Sequence, residues 1–353
     1  MPRWCRRAIT VAGAATLAAL ALCALPNRAA AQGVRQQADA WRDVARHTAG
    51  MVTVDSGVRL HYLDFGGAGP TLLFLPGLGN TAHAFDDFAP RFTDRYHVVA
   101  LTRRGFGESD HPATGYDIPR LVEDIKQAID RLQLGKVALI GHSIAGEEMT
   151  RFAATYPDRV TSLVYLDAAY DRIAADSALQ EVFPTPPNVP GPPLPLASDT
   201  ATPEAYVDFV HRTRGVNIPE SDIRTRYRYD GWQEEITLAY QSISPERPNY
   251  AAVRAPALAI YAVTDTVSQL EPWQRGDSAN AAGFQDMVRG IETAERPLRE
   301  EFKREVAQSR VVEIHGGHHW IFVSHRDQVL AAIRDFLSRP DPPRERQSTN
   351  RSR

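Results

Sequence analysis

Ser143 lies in the run Lys136-Val137-Ala138-Leu139-Ile140-Gly141-His142-Ser143-Ile144-Ala145-Gly146, an apolar strand that ends abruptly among small residues. A helix-like stretch, Glu147 to Tyr156, follows at once. Strand, sharp turn, serine and helix, in that order, lift a hydroxyl out of a sheet and set it at a helix N-terminus. Backbone N–H groups there can hold a developing oxyanion. The chemistry implied is nucleophilic attack by serine on a carbonyl carbon. The plainer alternative is a serine that caps the following helix.

The surrounding chain supplies elements able to position such a residue. Val52-Thr53-Val54 and Val58 to Leu63, about the turn-forming Asp55-Ser56-Gly57, predict a hairpin. Thr71 to Leu75 is a continuous apolar run, as a strand buried on both faces should be, and His97 to Leu101 is another. Ile118 to Leu132 places Leu121, Ile125, Ile129 and Leu132 at helical spacing. Val160 to Leu166, Ala257 to Ala262 and Arg310 to Ile314 read as further strands, and Arg326 to Leu337 as a closing amphipathic helix. Strands alternating with helices imply an α/β fold: a mostly parallel sheet covered on both faces. Residues 170–250 break the rhythm with a Pro-rich run, Phe183 to Pro193, and then patches rich in Tyr and Arg. An insertion placed there is expected to form a cap over the strands' C-terminal edge.

Bulk properties restrict the function. A chain of 353 residues with 43% hydrophobic and 24% charged residues is globular in composition, and its net charge of −3 gives no electrostatic case for nucleic acid. Residues 1–31 read as a secretory signal peptide: Arg3, Arg6 and Arg7, an apolar stretch from Ala8 to Leu25, and Ala29-Ala30-Ala31 as a cleavage site. The rival reading is an uncleaved membrane anchor. Arg6-Arg7 and Cys23 are poor matches to twin-arginine and lipoprotein signals respectively. Both cysteines, Cys5 and Cys23, lie in this leader, so the exported (periplasmic or extracellular) chain is expected to have no disulfide, thiolate metal site or cysteine nucleophile. Residues 32–50 read as a polar lead-in and 339–353 as a disordered tail, leaving 51–169 and 251–338 as the core.

From about Val52 to Leu337 the chain resembles the α/β-hydrolase superfamily. Phe74-Leu75-Pro76-Gly77-Leu78-Gly79 is similar to that family's oxyanion-hole strand end, with Pro76 in place of the usual histidine. Thr102-Arg103-Arg104-Gly105-Phe106-Gly107-Glu108-Ser109 is similar to its Asp-x-Arg-Gly-x-Gly-x-Ser turn, with Thr102 in the aspartate's place. Ser143 matches the nucleophile elbow, with Ala145 where glycine is usual. The resemblance implies a base late in the chain, among His315, His318 and His319. The family's apolar residues five before and ten after that histidine are Ile314 and Val329 when the base is His319, with His318 as the alternative. It also implies an acid at the end of a strand: Asp265, after Ile260-Tyr261-Ala262-Val263-Thr264, with Asp167 as the alternative. Leu78 and Ile144 would supply the oxyanion N–H groups, and His142 would pack beside the elbow.

The expected function is a secreted serine hydrolase that cleaves an ester-type bond in a small molecule through an acyl-enzyme, with no metal or organic cofactor implied. A proline iminopeptidase-like or carbon–carbon bond hydrolase on the same triad is the alternative. The former would need acidic groups for a substrate amine, with Glu204, Asp208, Glu220 and Asp222 as candidates. A non-catalytic binding protein of the same fold is the third reading. Serine at the elbow argues against haloalkane dehalogenases and epoxide hydrolases, which place an aspartate there. The Tyr and Arg residues of 224–240 could bind an anionic or aromatic acyl group, though such a surface more often only packs its stems.

Overall fold

The computed structural model describes residues 43–183, 193–228, 246–266, 272–275 and 281–338. The expected leader, the tail, most of the Pro-rich run and most of the Tyr/Arg patch lie outside the described residues. Eight strands form one sheet: β1 (Thr48–Thr53), β2 (Arg59–Gly66), β3 (Thr71–Leu75), β4 (His97–Leu101), β5 (Val137–His142), β6 (Val160–Leu166), β7 (Ala257–Val263) and β8 (Ser309–His315). Their order is β1-β2-β4-β3-β5-β6-β7-β8, antiparallel at β1/β2 and β2/β4 and parallel from β4 onward. The predicted hairpin is the β1–β2 pair.

Every residue of β3, β5 and β7 is buried, which is why their sequences are apolar runs apart from Thr71 and His142 at strand ends. Alternation along each strand divides these side chains between two layers. Leu73, Leu75, Leu139, Leu163 and Tyr165 face one core, which includes Phe152 and Phe302. Leu72, Phe74, Ile140, Val164 and Leu258 face the other, with Phe85, Phe88, Phe92, Val329 and Ile333. Helices α1 (Ile118–Arg131) and α2 (Ala145–Thr155) cover the first layer, and the closing helix (Arg326–Leu337) covers the second. The Asp117 side chain caps α1 by accepting the Arg120 N–H, with proline in the first turn.

Between β6 and β7 the chain inserts α3 (Arg172–Val182), α4 (Pro203–Arg214) and α5 (Glu220–Arg228). A long helix, α6 (Ala281–Glu305), separates β7 from β8. Its Phe284, Met287, Val288 and Ile291 pack with Leu179 of α3 in a third, smaller apolar cluster. Helix α5 docks back on the loop after β3: Asp222 accepts from the Thr81 N–H and hydroxyl, both at 2.8 Å, and from the Asn80 amide at 3.0 Å. The end of the polar lead-in is more structured than its composition implies. Strand β1 already begins at Thr48, and the His47 side chain is only 8% exposed. Among the described residues no helix is long and apolar enough to cross a membrane.

Candidate active site

Strand β5 ends at His142 and α2 begins at Ala145, so Ser143 occupies the turn between them. Its φ of 55° lies in the left-handed region, where a Cβ crowds the backbone and where strain is characteristic of functional turns. Helix α2 has Ile144 at its N-cap and no side-chain cap, so capping is not the role of this serine. The turn is feasible because its neighbours are small. A Cβ on Gly146 would stand 1.8 Å from the Ala168 carbonyl oxygen. One on Gly141 would stand 2.9 Å from the Ala145 Cβ and 2.6 Å from Met149 Sδ. The Ala145 methyl therefore fits because Gly141 has none, which explains how alanine is accommodated where glycine is usual.

His319 follows β8 on a short loop. Its Nδ1 lies 2.7 Å from Asp167 Oδ2, and its ring centroid lies 4.6 Å from that of His142, the residue before the serine. The neighbouring His142 Nε2–H donates to the His319 carbonyl at 3.0 Å. Burial, and then the charge of His319, hold His142 well below the ordinary imidazole range, so it stays neutral. His318 Nδ1 accepts the Trp320 N–H at 3.1 Å, which commits that nitrogen to the loop's own turn.

The aspartate that meets His319 is not the one the resemblance favours. Asp265 does not reach His319; its Oδ2 lies 2.8 Å from Nδ1 of His315, and this pair is 40% and 64% exposed. The physical reason is register. Val263 is paired with His315 at the ends of β7 and β8, so a residue just beyond Val263 meets the histidine that closes β8 rather than one four residues later. Asp167, the alternative, directly follows β6 with φ 48°. Its carboxylate is fully used: Oδ1 accepts the Ala262 N–H at 3.0 Å and the Tyr170 hydroxyl at 2.8 Å, while Oδ2 faces His319. Below it, Tyr261 donates to the Ala169 carbonyl at 2.9 Å and packs edge-on against Tyr170.

The loop after β3 approaches the elbow closely. A Cβ on Gly77 would fall 2.8 Å from His142 Nδ1, so only glycine allows the approach. Leu78 follows it, and Ile144 opens α2 with the positive end of the helix dipole behind it. Within the described residues, no backbone hydrogen bond outside the regular elements uses either N–H as a donor.

Sequence reading missed the support of this loop. Buried Arg103 donates to the Pro76 carbonyl at 3.0 Å and the Gly77 carbonyl at 3.4 Å, and its Nε lies 2.6 Å from Glu148 of α2. The signal was present, since Arg103 belongs to the Thr102–Ser109 turn already singled out. Also missed was Glu295 on α6. Burial, then the nearby Asp167 carboxylate, push its pKa up to about 8 against the opposing pull of Arg299. Of the four acids considered for a substrate amine, Asp222 is fully buried and engaged by Asn80 and Thr81. Glu204 and Glu220 both hold Arg224, at 2.7 and 2.6 Å, and Asp208 is exposed on α4.

The α/β hydrolase fold family model matches residues 70–326. The 2-(acetamidomethylene)succinate hydrolase of Mesorhizobium japonicum is 38% identical over 101 residues, 29% of this chain and 36% of that one. Mouse (Mus musculus) epoxide hydrolase 4 is 34% identical over 129 residues, 36% of each chain. The matches thus span about a third of the length of these curated relatives. Among solved structures, a serine hydrolase involved in carbazole degradation superposes with a TM-score of 0.57 at 20% identity, over 83% of this chain and 99% of that one. With its sheet order, its strained serine after the central strand and a family model matched from β3 to the closing helix, this chain belongs to the α/β hydrolase fold family.

Proposed function

We propose that this protein is a serine hydrolase that cleaves an ester-type bond through an acyl-enzyme. The observation that carries the reading is the 2.7 Å pairing of His319 Nδ1 with buried Asp167, on a ring packed beside the elbow that holds Ser143. In this mechanism Asp167 fixes the tautomer of His319 and leaves Nε2 to take the Ser143 proton. The serine oxygen bonds to the substrate carbonyl carbon, and the N–H groups of Leu78 and Ile144 hold the resulting oxyanion. His319 returns the proton to the leaving alkoxide as the tetrahedral intermediate collapses. Water, deprotonated by the same histidine, then releases the acid and frees the serine.

The epoxide hydrolases among the relatives do not redirect this proposal, because opening an epoxide through an alkyl-enzyme calls for a carboxylate at the elbow and this chain has Ser143. The engagement of Glu204 and Glu220 by Arg224, and of Asp222 by Asn80 and Thr81, weighs against an aminopeptidase-like use of the same triad. Ser143→Ala should lower p-nitrophenyl ester turnover by at least about a thousandfold and abolish labelling by a fluorophosphonate probe, with an unchanged unfolding midpoint. Retention of labelling in that variant would overturn the assignment.

A further inference from the structure

A second cluster of chemistry-bearing side chains lies outside the site just described. Asp43 and His47 come from the segment leading into β1, and His83 and Asp86 from the short helical turn that follows the loop after β3. Their side chains are 21%, 8%, 8% and 3% exposed. Asp43 Oδ2 lies 3.0 Å from His47 Nε2 and 3.1 Å from His83 Nδ1. His83 Nδ1 is 2.9 Å from Asp86 Oδ2, and His47 Nε2 is 3.8 Å from Asp86 Oδ1. One donor atom from each of the four residues thus lies within 4.8 Å of all the others.

Hydrogen bonding alone satisfies this arrangement poorly. His83 Nδ1 carries at most one hydrogen yet sits against two carboxylate oxygens, Asp43 Oδ2 and Asp86 Oδ2. Asp86 Oδ1 is buried and has no hydrogen-bond partner, although Ser221 and His83 both bond the other oxygen of that carboxylate. A single cation at the centre would satisfy all four donors at once. The spacings bracket the edge of about 3.4 Å that a tetrahedron with metal–ligand bonds of about 2.0–2.1 Å requires. Two imidazoles and two carboxylates suit a borderline ion; calcium or magnesium would take oxygen alone.

We propose that Asp43, His47, His83 and Asp86 form a binding site for a divalent ion of the zinc class. Outer partners are in place. The Ala45 N–H donates to Asp43 Oδ1 at 2.9 Å, which leaves Oδ2 for the ion. His61 stacks on His83 at 5.6 Å, and its Nε2 lies 2.8 Å from Glu108. With four protein ligands the ion is structural rather than catalytic. It fastens the chain before β1 to the turn beyond the loop of Leu78 and, through Ser221, to α5.

The test uses the full chain, stripped with a chelator and titrated with zinc chloride by calorimetry, with cobalt(II) absorption as a second readout of tetrahedral geometry. One equivalent should bind more tightly than about 1 µM and raise the melting temperature by several degrees. Asp43→Ala and His47→Ala, both on the segment before β1, should each weaken zinc at least about 100-fold and remove the tetrahedral cobalt bands, while His315→Ala leaves both unchanged. Failure of the wild-type chain to bind zinc, or binding unaltered in Asp43→Ala and His47→Ala, would overturn the proposal.

Discussion

Two histidine–aspartate pairs, whose histidines are near neighbours in the chain, have nearly the same contact and unlike surroundings. His319 Nδ1 meets Asp167 Oδ2 at 2.7 Å, and His315 Nδ1 meets Asp265 Oδ2 at 2.8 Å. The first pair is 13% and 7% exposed, the second 64% and 40%. Distance therefore does not tell them apart; context does. In the first, every carboxylate oxygen has a donor from the protein, and the imidazole packs against the elbow's own histidine. In the second, water competes for both partners, which makes an ion pair of that kind worth little.

Activity should separate the pairs most widely. Asp167→Asn should cut kcat for a p-nitrophenyl ester by about a thousandfold to ten-thousandfold, because the amide no longer fixes the tautomer of His319. Asp265→Asn should stay within about twofold of wild type. Comparable losses in both variants would dissolve the distinction.

Stability should separate them next. Asp167→Ala leaves the Ala262 N–H and the Tyr170 hydroxyl without their acceptor and should cost about 3 kcal/mol in urea unfolding. Asp265→Ala should cost about 0.5 kcal/mol or less, since its pair is exposed.

The smallest effect is a pH slope from Glu295, the buried neighbour of Asp167. Glu295 has its pKa raised from 4.5 to about 8, by burial first and then by the Asp167 charge. The folded state therefore holds a proton that the unfolded chain gives up between these values. Its contribution to stability is complete below pH 4.5 and disappears as pH rises through about 8. Glu295→Gln, neutral throughout, should flatten that part of a melting temperature profile taken from pH 5 to 9. An unchanged profile would show that Glu295 does not hold that proton in the folded state.

Most of the sheet could be read from the residues, because strands buried on both faces must be apolar throughout, as Leu72 to Leu75 and Ala257 to Val263 are. The elbow was equally legible, since small residues around Ser143 reflect local crowding. The acid was not. Asp167 and Asp265 both follow strands and both precede the histidines in sequence, and nothing local encodes that the Ala262 N–H, nearly a hundred residues away, will hold Asp167 in place. The Asp43–His47–His83–Asp86 cluster was hidden for the same reason: its halves are brought together only when β1 and β2 pair at the sheet's edge.

The bond from His142 to the His319 carbonyl links two turns that lie far apart along the polypeptide. Its donor is an imidazole that burial keeps from taking up a second proton, so acidification does not undo the tie. The serine turn and the histidine loop are thus yoked, and neither can swing aside without dragging the other. Of the helices inserted after β6, α5 is fastened in turn to the loop after β3 through Asp222, so the constraint on the site extends to that side as well.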